Sequence, residues 1–304
     1  MKIVFMGTPA FSIAPLERLF RDGHDIAGVF TQPDRPRSRG MKVSFSPVKE
    51  TAIKYEIPVY QPASLRDESI AAIIRQLNCE IVVVVAYGNL LPREILDIPP
   101  SGCVNIHASL LPAYRGAAPI HWAILNGETE TGVTSMYMAE ELDAGDIISK
   151  KALQIHDDET TGELRDRLSI VGAELLSETV FAISSGKAVR IPQNHDEATF
   201  APPIKKESSL INWADTALNI KRKVRGFNPW PIATADFGGT IYKVFSVDIG
   251  DRKPVGSNPG KIVSAGRDGL EIACSDATVI IKELQAPGGR RMAASEYLRG
   301  NLIQ

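Results

Sequence analysis

The chain has few cysteines, no long apolar run and almost no net charge, and each of these shortages narrows what it can be. Its 304 residues include 3 cysteines, Cys79, Cys103 and Cys274. They are far apart, odd in number and outside any metal-ligand spacing, so free thiols in a reducing compartment are expected, with no metal site. No uncharged apolar stretch reaches the length of about 18 residues that a membrane span needs. The opening MKIVFMGTPAF has no small-residue cleavage site behind a longer apolar run, so a cytoplasmic protein is expected. A formal net charge of −2 does not mark the whole surface for nucleic acid. Nucleotide fingerprints are missing too. A G-x-G-x-x-G turn would need glycines where Pro9 and Ser12 stand behind Gly7, and there is no GxxxxGK[ST] phosphate loop.

What is present is enough apolar material for a core, 44% of the residues, in a chain long enough for one large or two ordinary domains. Charge is divided unevenly along it. Residues 200–304 hold 15 Lys plus Arg against 10 Asp plus Glu, whereas residues 1–199 hold 19 against 26. An acidic front and a basic back suggest two domains with different partners.

Apolar periodicity predicts strands at 2–6, 26–31, 59–61, 81–86 and 103–107, alternating with helices at 9–21, 46–55 and 67–77. The run IVVVVA at 81–86 is apolar on both faces, as in the middle of a parallel sheet covered by helices. Strands at 132–139 and 146–153 and a long helix at 160–185, capped by Thr160 or Thr161, complete the front half. The polar, proline-containing stretch that follows reads as a linker. Behind it, a helix at 216–224 and five short strands separated by glycine-rich turns suggest a small barrel of the oligonucleotide-binding (OB) type.

The segment NIHASLLPAYRGAAP, 105–119, is the most unusual in the chain. Asn105 and His107 are two apart at the end of an expected strand, so both side chains point to one face. That end of a parallel sheet is where ligands bind. An amide donor and an imidazole converging there suit the stabilisation of an oxyanion and the movement of a proton. The pair alone also fits a turn-forming Asn and a satisfied core His. Downstream, ELDAGDII at 141–148 contains Asp143 in a turn where Asp and Gly are common for backbone reasons. A third segment, TQPDRPRSRGMKVSFSPVK at 31–49, carries Arg35, Arg37, Arg39, Lys42 and Lys49 against Asp34. A basic loop of this length in an acidic domain reads either as a solvated loop or as a phosphate-binding one. Lys205 and Lys206 stand just ahead of the C-terminal strands, and a charge run at Lys221, Arg222, Lys223 and Arg225 could add contacts or be a solvated helix face.

Together these segments resemble the folate-dependent formyltransferase family. The Asn-x-His pair followed by SLLP and Gly116 is similar to its first signature, and the DAG turn to its second. TQPDRP with Arg39-Gly40 and SPVK, and FNPWPIA at 227–233, resemble the methionyl-tRNA formyltransferase branch, with Ser38 departing from an expected Gly. The resemblance covers nearly the whole chain. It implies an α/β fold: a Rossmann-like formyltransferase domain with a mostly parallel sheet over 1–188, a linker at 189–206, and an OB-like β-barrel tRNA-binding domain over 207–304. It implies 10-formyltetrahydrofolate as formyl donor, initiator methionyl-tRNA as acceptor, and no metal, membrane or obligate protein partner, the chain being expected to act as a monomer. Asn105, His107 and Asp143 become the implied catalytic set. Ser109, Leu110, Leu111 and Pro112 become folate contacts, with the apolar 84–91 region beside the pterin. Arg37, Arg39, Lys42, Lys205 and Lys206 become tRNA contacts. Two other readings stay open: a formyltransferase for a nucleotide or amino sugar, and an RNA-binding module on an inactive sheet.

Overall fold

In the computed structural model the described residues are 1–37, 42–251 and 258–303. They divide into two compact units. The first comprises Met1–Pro119, Glu130–Gln154 and Arg165–Pro202, and the second Ile120–Thr129, Ile155–Leu164 and Pro203–Gln304.

The first unit alternates strands and helices. β1 (Lys2–Gly7) leads through a 3-10 turn into α1 (Ile13–Arg21), followed by β2 (Asp25–Phe30) and two short strands, β3 (Arg35–Arg37) and β4 (Lys42–Ser44). Then come α2 (Pro47–Lys54), β5 (Val59–Tyr60), α3 (Glu68–Leu77), β6 (Ile81–Val85), α4 (Arg93–Leu96) and β7 (Cys103–His107). After α5 (Pro119–Asn126), which from Ile120 on belongs to the second unit, follow β8 (Glu130–Tyr137), β9 (Ile147–Gln154) and α6 (Thr161–Ser184), whose start as far as Leu164 also belongs to the second unit. Local chemistry sets the helix starts. The Ser46 hydroxyl accepts from the Lys49 N–H at 3.1 Å ahead of Pro47, the Asp67 carboxylate accepts from the Ser69 N–H at 2.9 Å, and Thr160 with Glu163 forms a reciprocal capping box.

Among the described residues the sheet has seven strands in the order β5-β2-β1-β6-β7-β8-β9. β5, β2, β1, β6 and β7 run parallel, while β8 is antiparallel to β7 and to β9. This is the mostly parallel architecture expected. Every residue of β6 and β7 is buried, as a strand covered by helices on both faces must be.

The second unit is built on α7 (Ala217–Gly226), with the Thr216 hydroxyl capping its start by accepting from the Asn219 N–H at 3.3 Å. Six strands follow: β10 (Ala233–Phe237), β11 (Thr240–Gly250), β12 (Ile262–Gly266), β13 (Gly269–Ala273), β14 (Thr278–Gln285) and the two-residue β15 (Met292–Ala293), before α8 (Ala294–Tyr297). Their pairings are antiparallel along the path β10-β11-β14-β13-β12, with β15 also on β14. Such a path agrees with a small barrel of the OB type. Ile220 and Val224 of α7 pack with Val244, Ile272 and Ile281 in its core.

The unit boundaries differ from the expected ones for identifiable reasons. The Arg225 guanidinium donates to the carbonyls of His156, Asp157 and Glu159, the Thr161 hydroxyl donates to the Gly226 carbonyl at 2.7 Å, and Lys221 pairs with Asp158 at 2.6 Å. Residues 155–164 therefore belong with α7. In the stretch expected as a linker, Ile191 exchanges two backbone hydrogen bonds with Ile147 at 2.8 and 2.9 Å, and Gln193 and Ala201 are buried. That stretch belongs to the first unit as far as Pro202.

Candidate active site

β7 ends between the buried β6 and β8, in register with Met136 opposite Asn105 and Thr134 opposite His107. Asn105 is 9% and His107 6% exposed. Two residues apart on a pleated strand, they share one face. The His107 ring has an acceptor at each nitrogen: Nε2 lies 2.9 Å from the Tyr114 carbonyl, and Nδ1 lies 3.6 Å from Asp143 Oδ2. A carbonyl only accepts, so Nε2 carries a proton. A ring that gains a second proton finds the carboxylate waiting at Nδ1.

Asp143 sits in the connection between β8 and β9 with φ 51°, in the left-handed region that Asp tolerates better than most residues. Its Oδ2 also accepts from the Gly116 N–H at 2.8 Å. Gly116 has φ 119°, and a Cβ there would meet the Ala201 carbonyl oxygen at 2.8 Å, so only glycine fits. Asn105 and His107 of β7 and Asp143 of the β8–β9 connection thus gather at the carboxyl end of the parallel strands.

The 109–112 segment is divided in its roles. The Ser109 hydroxyl donates to the Ala113 carbonyl at 2.6 Å, and the Thr134 hydroxyl donates to the Ser109 carbonyl at 2.6 Å. Leu111 is fully buried with Met136 and Ile147. Those two side chains build the turn, while Leu110 and Pro112 are half-buried. In the 84–91 region, Val84, Tyr87 and Leu91 belong to the core, and Ala86 and 88–90 are exposed beside the site's strand ends.

The basic residues lie elsewhere. β3 and β4 pair antiparallel with Arg37 opposite Lys42, so the segment read as an irregular loop is a short hairpin; Ser38, Arg39 and Gly40 lie outside the described residues. Lys49 is withdrawn from the free charge of that segment. It pairs with Asp34 and donates to Gln61 Oε1 at 2.7 Å, and the Lys49 and Gln61 side chains hold the Asp34 carboxyl below its usual range. Lys205 and Lys206 are exposed in the second unit, around the 3-10 turn Lys206–Ser209. Of the α7 charges, Lys221, Lys223 and Arg225 bond to Asp158, to the Leu210 carbonyl and to the 156–159 carbonyls, and so hold the unit together. Among the described residues, no three His, Cys, Asp or Glu gather as metal ligands, and no helix is long and apolar enough to cross a membrane.

Comparison with known proteins bears on this geometry directly. The formyl transferase family model matches residues 1–180, and the formyl transferase C-terminal domain model matches 203–302. A methionyl-tRNA formyltransferase of Acetivibrio thermocellus is 47% identical over 303 residues, covering 100% of this chain and 97% of that protein. The chain belongs to the methionyl-tRNA formyltransferase family. Solved structures agree at the level of fold. HypX from Aquifex aeolicus in complex with tetrahydrofolic acid has a TM-score of 0.65 at 18% identity over 98% of this chain and 47% of its own. The sugar 3N-formyltransferase WlaRD gives 0.67 at 18% identity over 92% of this chain and 96% of its own. At that identity a sugar enzyme and a tRNA enzyme share a scaffold, and the acceptor is decided outside it.

Two buried residues that touch this site from behind have no sequence signal of their own. Arg115 is only a single charge inside the apolar LLPAYRGAAP run, and Gln193 is one polar residue in a polar stretch.

Proposed function

We propose that this chain transfers the formyl group of 10-formyltetrahydrofolate to the α-amino group of methionine on initiator methionyl-tRNA, supporting translation initiation in the cytoplasm. The observation that carries this reading is His107, held between the Asp143 carboxylate and the Tyr114 carbonyl beside Asn105, in a chain with both family domains. All three site residues come from one unit of one chain, which supports action as a monomer.

The chemistry follows from the residues. The neutral amine attacks the formyl carbon, forming a carbon–nitrogen bond and turning the carbonyl oxygen into an oxyanion. Asn105 and His107 hold that oxygen, the Asn105 amide by donating a hydrogen bond worth about 3–4 kcal/mol and the His107 ring by exchanging its bond to the Tyr114 carbonyl or the Asp143 carboxylate for one to the oxyanion. The Asp143 carboxylate accepts the amine's proton, directly or through water, and orients His107. The bond to folate N10 then breaks, N10 takes a proton, and formyl-methionyl-tRNA and tetrahydrofolate leave. The exposed residues 86 and 88–90 and the half-buried Leu110 and Pro112 offer polar and apolar contacts for the folate ring, at the strand ends where open α/β sheets bind ligands. Arg37, Arg39 and Lys42 engage the acceptor end of the tRNA, and Lys205 and Lys206 add contacts to the tRNA backbone.

The deciding experiment follows labelled formyl from 10-formyltetrahydrofolate to charged initiator tRNA, with uncharged tRNA, charged elongator tRNA and an amino-sugar nucleotide alongside. Transfer confined to the charged initiator is expected. Transfer to the amino-sugar nucleotide instead would move the chain to the small-molecule formyltransferases.

A further inference from the structure

Behind Asp143 lies a buried polar relay. Arg115, 2% exposed, directs Nε and Nη2 to the single Oε1 of Gln193 at 3.2 and 2.7 Å, while Nη1 faces His195 Nδ1 at 3.3 Å. A guanidinium only donates, so the Gln193 amide must present its oxygen to Arg115 and its nitrogen to the other side. There Nε2 donates to the Asp143 carbonyl at 2.9 Å and to the Gly145 carbonyl at 2.8 Å. Both amide hydrogens are therefore spent on the turn that carries Asp143. The chain around Gln193 is itself anchored on both sides. Ile191 is bridged to Ile147, the Arg115 N–H donates to the Thr199 carbonyl at 2.8 Å, and the Ala201 N–H donates to the Arg115 carbonyl at 2.7 Å.

We infer that Gln193, oriented by Arg115, is a positioning residue for the reaction. It locks the left-handed Asp143 turn and sets it in register with the 114–116 turn, so that carboxylate and carbonyl reach opposite nitrogens of His107. The argument has a geometric core. His107 is cradled by two turns that are not neighbours in sequence, one supplying the Tyr114 carbonyl and the Gly116 N–H, the other supplying Asp143. Residues 191–201 bond to both, and Gln193 is the side chain that joins them. A buried arginine bound to the amide oxygen prevents the flip that would point that oxygen, an acceptor, at two carbonyls. A site carboxylate displaced by about 1 Å costs on the order of 100-fold in rate.

This inference rests on the proposed catalytic role of Asp143, and the test separates the two. Gln193→Met, Gln193→Glu, Asp143→Ala and the double variant Asp143→Ala/Gln193→Met are made in the full chain and assayed at saturating formyl donor and charged tRNA. Gln193→Glu keeps the acceptor for Arg115 and nearly the same volume but loses both N–H donors, so it reports on the turn even if Gln193→Met folds poorly. Expected is a fall in kcat of about 10- to 100-fold in both Gln193 variants, with each KM within about twofold, since binding surfaces are untouched. In the Asp143→Ala background, Gln193→Met should change the residual rate by less than about twofold, because it acts through the group already removed. Normal kcat in Gln193→Glu, or a full additional loss in the double variant, overturns the positioning role. Normal turnover in Asp143→Ala overturns the site reading beneath it.

Discussion

The central strands of the first sheet and β11 of the second treat their residues differently. In the first unit, β6 and β7 are buried at every position, and polar groups enter that layer only at the strand end, as Asn105 and His107. In the second unit, β11 alternates between exposed and buried positions from Ile241 to Val244, as an antiparallel strand with one face to water does. A layer sealed on both sides holds an imidazole in one orientation with fixed partners, which bond-making requires. Exposed positions leave long basic side chains free to follow a flexible polyanion. The lesson is a division of labour. Under the proposed function, turnover is lodged at the buried strand end and affinity for nucleic acid is spread over exposed residues such as Lys205 and Lys206.

Variants can break that division or sharpen it. The largest effect is expected at the sealed end. His107→Ala, Asn105→Ala and Asp143→Ala should each lower kcat by about 100- to 1,000-fold, with formyl-donor binding little changed, in steady-state transfer assays and folate titrations. At the basic residues the pattern should invert. Arg37→Ala with Lys42→Ala should raise KM for charged tRNA several-fold at unchanged kcat, and the slope of log affinity against log salt should flatten by about 0.7–0.9 per phosphate contact removed. Equal losses for tRNA and folate would join the hairpin to the chemistry and erase the contrast.

A smaller effect, on stability rather than turnover, is expected at the start of α6. Thr160→Ala should lower unfolding free energy by about 1 kcal/mol in denaturant titrations. The Thr160 backbone N–H and then its hydroxyl hold the Glu163 carboxyl below its usual range. A depressed folded value contributes stability above the ordinary glutamate range and loses it as pH falls through the folded value. The gap between wild type and Thr160→Ala should therefore narrow as acid titrations pass below about pH 4. Smallest of all is the expected response of the thiols. Burial pushes Cys103 and Cys274 up to about 12 and raises Cys79. Ellman's reagent at pH 8 should label none of the three in the native protein and all of them after unfolding.

Much of the first sheet could be read from local chemistry. The IVVVV run, the Ser46, Asp67 and Thr160 caps and the NIH triplet each follow from periodicity or spacing over a few residues. The 35–44 hairpin could not, because its two three-residue strands contain Pro36 and too little alternation to outweigh a loop reading. Nor could the commitments of Lys49, Lys221 and Arg225, whose charge looks the same in sequence whether it faces solvent or a buried carbonyl.

The sequence by itself determined the α/β order and the family and put Asn105 and His107 at one strand end with Asp143 in a turn, because strand alternation and short motifs act within a few residues. Only the tertiary structure decided that residues 155–164 belong with α7, that the stretch after α6 is a strap on the first unit as far as Pro202, and that Arg115 and Gln193 stand behind Asp143. Those facts depend on buried donors finding acceptors dozens of residues away, and that pairing exists only once the chain has closed on itself.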